Sequence, residues 1–287
     1  MVSSFDRLKA QAARWQMTVL ETSETSTAVI AFGRIRNASV VLKIVKEEGD
    51  EWNSGEVLRS FQGHGTVRVL NAAPGALLVE RLEPGGALVD LVRQGRDDEA
   101  TETLAGLVRQ MAGHRAPVGC ATVEDWSRGF DRYLQGHSMQ IPHDLVCTAR
   151  DIYQSLAATQ SIVMLLHGDL QHYNVLSDKS RGWVAIDPKG VVGELEYEVG
   201  AMLRNPTELP HVFTAEKTIR RRLKVLSDCL DLNYERTISW AFAQAVLSAI
   251  WDVEDGYPVL ENNGALRLAK ILQRFCSNIL SIQLDKR

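Results

Sequence analysis

The 287-residue chain predicts an α+β fold in two lobes, a small one with a five-stranded antiparallel sheet plus a helix and a large, mainly helical one. Three observations carry this reading. Residues 16–82 hold five short apolar runs separated by turn residues, as successive strands do. Residues 88–284 are dominated by apolar side chains at helical spacing. Between them, Glu83-Pro84-Gly85-Gly86 breaks both patterns and reads as a linker. The lobes are therefore expected over residues 1–85 and 86–287.

In order, Ser3 or Ser4 caps a short helix with Phe5, Leu8, Ala12 and Trp15 on one side. Strands follow over 16–21, 27–34 and 39–46, with Arg36-Asn37 turning between the second and third. Residues 50–61 read as a helix weakened by Gly55. Two more strands, 66–70 and 76–82, are split by Ala73-Pro74-Gly75. Beyond the linker, helices are expected over 88–93, 97–113 and 143–159, with a less regular stretch over 116–136. After Pro206 the spacing predicts helices over 215–230, 234–253 and 264–284.

Composition is that of a soluble globular protein. A formal net charge of −4 supplies no broad basic field, which argues against nucleic-acid binding and does not oppose a cationic partner. Four well-separated cysteines with no C-x-x-C pair read as reduced thiols of a cytoplasmic protein. The N-terminus lacks the apolar run of a signal peptide, and no segment approaches the roughly 20 apolar residues of a membrane span.

The chain is organised around residues 162–190. Residues 162–166 are apolar throughout and read as a buried strand. A loop, His167-Gly168-Asp169-Leu170-Gln171-His172-Tyr173-Asn174, leads into a hairpin over 174–186 that ends at Asp187. Phosphoryl transfer needs a group to take or orient the nucleophile's proton and Mg²⁺ to meet the developing charge. Mg²⁺ prefers hard oxygen ligands. Asp169 is placed as the base, and Asn174 and Asp187 as metal ligands, because the hairpin returns the chain to its start. Taken singly, each is an ordinary turn residue; the joint spacing carries the site reading. Lys43 lies inside a strand of Val40, Val41, Leu42, Ile44 and Val45, and a buried ammonium needs partners. Glu51 and Glu56 on the following helix are the two candidates.

HGDLQHYN followed by AIDP resembles the aminoglycoside phosphotransferases, and RGWVAIDPKGVVGELEYEVGAMLRNP is similar to their streptomycin 6-phosphotransferase and hydroxyurea phosphotransferase branch. LSAIWDVEDG extends the likeness toward the C-terminus. The resemblance implies a bilobal protein-kinase-like fold and ATP- and Mg²⁺-dependent O-phosphorylation of a small hydroxylated molecule. It implies that Lys43 contacts the α- and β-phosphates. It favours Glu51 as the partner of Lys43, because an apolar residue, here Leu58, stands two turns after this glutamate in the family. The Thr22–Thr27 run would replace a Gly-rich loop, with Ser26 near phosphate. Backbone groups of Glu80 and Leu82 would meet the adenine edge.

Clustered carboxylates suit a polycationic acceptor. Glu194, Glu196 and Glu198, read as an acidic turn, and Asp252, Glu254 and Asp255 at a helix end are the candidates, with solvated acidic faces as the plain alternative. From these, Glu194, Glu196, Asp252 and Asp255 are taken as acceptor-binding. Three functions compete: an antibiotic kinase for streptomycin, a metabolic kinase for an alcohol such as choline or a sugar derivative, and a nucleotide-binding regulator without transfer activity. Intact Lys43, Asp169, Asn174 and Asp187 argue against the third.

Overall fold

The computed structural model describes residues 3–49, 51–136 and 138–284. Helix α1 (Ser4–Arg14) opens the chain; the Ser3 hydroxyl accepts the Asp6 N–H at 3.1 Å. It buries Leu8 and Ala12 and leaves Phe5 exposed. Strands β1 (Thr18–Glu24), β2 (Ala28–Ile35), β3 (Ala38–Val45), β4 (Val69–Ala73) and β5 (Ala76–Glu80) form one antiparallel sheet in the order β1-β2-β3-β5-β4. Arg36 takes φ 53° in the β2–β3 turn.

Period-two alternation along β3 divides the lobe. Val40, Leu42 and Ile44 pack with Leu8 and Ala12 under α1. Val41 and Lys43 face the other way, beside Ile30, Leu77 and Val79. Helix α2 (Ser54–Phe61) starts later than the sequence indicates, so Glu51 lies in the turn before it; Asp50 lies outside the described residues.

The linker is itself structured. Pro84–Ala87 forms β6, which pairs with β8 (Val175–Asp178), and β8 pairs with β9 (Gly182–Ala185). The small lobe also grips β9: Val67 N–H donates to Ala185 O at 2.9 Å and Ala185 N–H to Gly65 O at 2.8 Å. The β8–β9 hairpin is therefore held from both lobes.

A short helix and two longer ones follow the linker: α3 (Val89–Arg93), α4 (Asp97–Met111) and α5 (Val123–Gln135). The stretch expected to be irregular is a regular helix from Val123 onward. Thr122 and Asp125 close a reciprocal capping box at its start. Helix α6 (His143–Ala158) leads to β7 (Met164–Leu166), which pairs with β10 (Val191–Gly193). This strand is shorter than expected: Ile162 and Val163 are exposed and lie outside it.

After β10 comes α7 (Leu195–Leu203), where an acidic turn was expected. Short α8 (Pro210–Phe213) and long α9 (Glu216–Leu230), α10 (Tyr234–Glu254) and α11 (Gly264–Leu284) complete the lobe. α10 is apolar on nearly every side, which suits a helix packed at the centre of a lobe. Tyr153, Tyr197 and Trp240 meet edge-to-face there, with centroids 4.9–5.9 Å apart. All four cysteines are free. Among the described residues no helix is long and apolar enough to cross a membrane.

Candidate active site

Because β3 turns Lys43 toward the space between the lobes, its ammonium is buried there and needs counter-charges. It has two: Glu51 Oε2 at 2.8 Å and Asp187 Oδ1 at 2.9 Å. Burial works to lower the Lys43 pKa, but the two carboxylates outweigh it and hold the value above the ordinary lysine range. Glu56 instead pairs with Arg59 on the exposed side of α2.

Asp187 ends the hairpin in a left-handed conformation, φ 53°. The hairpin register pairs Val175 with Ala185, and Ile186 N–H donates to Asn174 O at 2.8 Å. Asn174 and Asp187 are thus brought together by one further step of the ladder. Asn174 Nδ2 donates to Asp169 O at 2.9 Å and to Asp169 Oδ2 at 3.2 Å. Its amide oxygen is left for another partner.

The loop owes its shape to buried groups. His167 Nε2 donates to Ile186 O at 2.9 Å, and its Nδ1 accepts the Asp169 N–H at 3.3 Å. That pattern requires the neutral ring, and burial lowers its pKa accordingly. Beneath the loop, the Glu198 carboxylate accepts the Gly168 N–H at 3.2 Å. Burial pushes Glu198 up to about 7, against the pull of backbone N–H groups of Gly168, Leu170 and His167. Gln171 Oε1 accepts the Tyr173 N–H at 2.8 Å. His172 is fully buried, with its pKa lowered to about 3 mainly by that burial.

Arg204, at the C-terminal cap of α7, adds a residue that sequence reading missed. Its Nη2 lies 3.3 Å from Asp169 Oδ1 and its Nη1 3.3 Å from Gln244 Oε1. One bonded path therefore runs from Lys43 through Asp187, Ile186, Asn174 and Asp169 to Arg204. No local pattern marks Arg204, whose partner lies 35 residues away. Glu198 had a signal: a carboxylate inside the otherwise apolar run Val199–Leu203 and Tyr197.

The carboxylates proposed for the acceptor separate. Glu194 is buried, 3 % exposed, and its Oε1 takes both Arg236 Nε and Trp240 Nε1. The acidic-turn expectation fails here because α7 begins at Leu195 and turns Glu194 into the helical core. Glu196 accepts the Asn233 N–H at 3.3 Å. Asp252 Oδ2 accepts Asn263 Nδ2 at 2.9 Å. Asp255 is exposed and lines a cavity of about 440 Å³ together with Ser26, Glu51 and Lys189. Lys189 also lines a neighbouring cavity of about 630 Å³ beside Trp126, and its ammonium lies 5.3 Å from the Trp251 ring centre.

A third cavity, about 360 Å³, lies between the sheet and the hairpin. Ile30, Phe32, Val79, Leu82, Leu176 and Ile186 give it apolar walls, and Lys43 and Asp187 close one end. The Glu80 side chain points elsewhere, to Arg181 and the Arg68 N–H.

Asn174 and Asp187 offer an amide oxygen and a carboxylate from the two arms of the same hairpin. That hard donor pair fits a Mg²⁺ ion that takes its remaining ligands from phosphate and water. No larger group of metal-binding side chains occurs among the described residues.

A streptomycin 3''-kinase of Klebsiella pneumoniae is 31% identical over 213 residues, 72% of this chain and 77% of its own. A hydroxyurea phosphotransferase of Kitasatospora aureofaciens is 32% identical over 76% of this chain and 67% of its own. Among solved structures, aminoglycoside phosphotransferase APH(4)-Ia with AMP-PNP and hygromycin B superposes with TM-score 0.64 at 14% identity, covering 92% of this chain and 97% of its own. A choline/ethanolamine kinase family protein of Mesorhizobium loti gives 0.65 at 15% identity, covering 93% of each chain. These likenesses share the protein-kinase-like fold. Residues 14–256 match the family described as aminoglycoside/hydroxyurea antibiotic resistance kinase, and the chain belongs to that family.

Proposed function

We propose that this kinase transfers the γ-phosphate of ATP to a hydroxyl of a cationic, streptomycin-type acceptor. The observation that carries the proposal is the bonded path joining Lys43, Asp187, Asn174 and Asp169 across the two lobes. In this reading the 360 Å³ cavity takes the adenine, with backbone groups of Glu80 and Leu82 at its rim. Lys43, steadied by Glu51, meets the α- and β-phosphates, and Ser26 in the β1–β2 turn lies over the phosphate side. Mg²⁺ bound by Asn174 and Asp187 would neutralise charge on the phosphates. Asp169 receives the acceptor proton. Each of its oxygens already takes one N–H and keeps a lone pair for the incoming hydroxyl.

The cationic acceptor rests on Asp255 at the shared cavity, with Asp252 one turn before it on α10, and on the streptomycin kinases among the relatives; Glu196 lies at the opposite end of α10, against Asn233. A second reading, a small uncharged alcohol such as a sugar derivative, is favoured by Lys189, which puts positive charge on two of the cavities.

The test is calorimetry with Mg²⁺-ATP followed by transfer assays on streptomycin, hydroxyurea and choline. Wild type should bind Mg²⁺-ATP and phosphorylate a cationic acceptor. Asp187→Ala should lose most Mg²⁺-dependent affinity; unchanged affinity would remove Asp187 from the metal site. Phosphorylation of uncharged hydroxyurea alone would favour the second reading.

A further inference from the structure

Two charged side chains of α7 reach the catalytic loop. Glu198 takes a loop backbone N–H, and Arg204, six residues on, takes the Asp169 carboxylate itself. Arg204 is a half-buried cation, its side chain 12% exposed against 24% for Asp169, so the pair is only partly screened by water. Its position is fixed from behind. Gln244 Oε1 takes Nη1 at 3.3 Å, and the Gln244 amide donates to Tyr197 O in the same helix. Gln244 fits only because residue 200 is glycine: a Cβ there would stand 2.1 Å from Gln244 Oε1. The next residues are anchored too. Arg222 donates to Asn205 O at 2.6 Å and to Met202 O at 3.2 Å. A surface arginine has none of this support.

We propose that Arg204 is a positioning residue for the proposed base: it fixes the Asp169 rotamer so that one carboxylate edge stays open to the acceptor hydroxyl. The inference rests on the assignment of Asp169 as the base. It has a consequence for a cationic acceptor. A free Asp169 would form an ion pair with any guanidinium or ammonium group of the acceptor, and that pose holds no hydroxyl in line with the phosphate. With Arg204 in place, the ionic demand of Asp169 is met from within the protein. Neutral hydroxyls are then the groups best suited to its remaining lone pairs.

The experiment compares wild type, Arg204→Lys, Arg204→Met, Asp169→Asn and the Arg204→Met/Asp169→Asn double variant. Mg²⁺-ATP affinity is measured by calorimetry. Turnover is measured with streptomycin or hydroxyurea, or as ATP hydrolysis by water where neither is phosphorylated. Arg204→Met should keep ATP affinity and lose about 10–100-fold in kcat, the scale of losing a supporting partner of a functional group. The loss should fall on kcat with little change in acceptor KM, and Arg204→Lys should recover part of kcat. In the Asp169→Asn background, Arg204→Met should have no further effect, because it acts through the charge that is already missing. Additive losses in the double variant, or no recovery of kcat in Arg204→Lys, would overturn the proposal while leaving the Asp169 assignment intact. Asp169→Asn with wild-type turnover would overturn both.

Discussion

At the residue scale, burial controls the protonation of groups in and beneath the His167–Asn174 loop, and two of them pull stability in opposite directions with pH. Glu198 is raised from an ordinary 4.5 to about 7 by burial. Its protonated form is favoured in the fold, so its contribution is fully present below pH 4.5 and is lost as pH rises through 7. The full loss is about 3 kcal/mol. His172 is lowered from 6.5 to about 3, again mainly by burial. Its contribution is present above pH 6.5 and lost as pH falls toward 3. Between pH 4.5 and 6.5 the two partly cancel. Glu198→Gln keeps an oxygen for the Gly168 N–H and cannot ionise, so it should uncover the histidine side. Its urea midpoint, measured relative to wild type, should rise between pH 5 and pH 8. A constant difference across that range would show that Glu198 does not titrate there.

At the element scale, α7 joins loop to core. It buries Tyr197, Val199, Met202 and Leu203 and accepts Gln244 of α10 at Gly200. Gly200→Ala would push against a side chain that is itself buried and hydrogen-bonded on both ends. Overpacking of this kind costs about 1–3 kcal/mol, and here it should also lower kcat by releasing Arg204. Thermal melts together with turnover check it; wild-type values for both would mean that α10 shifts to make room. The helix was also the main element that sequence patterning missed. LEYEVGAML has no polar face, because Glu198 is turned inward under the loop, so no 3.6-residue alternation shows. β7 erred the other way: Ile162 and Val163 are apolar but exposed, and hydropathy alone extended the strand over them. Most other elements were legible, because α1 and β3 each bury one face and expose or line the cleft with the other. Spacing also brought Asp169, Asn174 and Asp187 into one reading, since a hairpin converts sequence distance into adjacency. Arg204 and Gln244 are reached only through the packing of α7 on α10, which sequence spacing does not encode.

At the scale of the whole molecule, recognition of the acceptor depends on which carboxylates the folded chain leaves available. Glu194 and Asp255 look alike in the sequence and differ completely in the fold. Glu194 is 3% exposed and holds Arg236 and Trp240 together at the junction of α6, α7 and α10. Asp255 caps α10 at the front of the cleft, on the cavity it shares with Ser26 and Glu51 of the small lobe. A cationic acceptor bridging the lobes would meet Asp255 without disturbing the core. The two substitutions should therefore separate stability from affinity. Glu194→Gln leaves Arg236 without its buried counter-charge, and breaking such a pair costs about 3–5 kcal/mol. It should lower the melting temperature with little selective effect on acceptor KM in the protein that remains folded. Asp255→Asn should leave the melting temperature unchanged and raise the KM for streptomycin. An exposed pair contributes about 1 kcal/mol or less, so the rise should be up to about fivefold. The ATP KM should stay level, because Asp255 takes no part in the walls of the cavity proposed for the adenine. If Asp255→Asn leaves streptomycin KM unaltered while Lys189→Met lowers it, the positive charge of Lys189 governs the acceptor side and the neutral-alcohol reading gains.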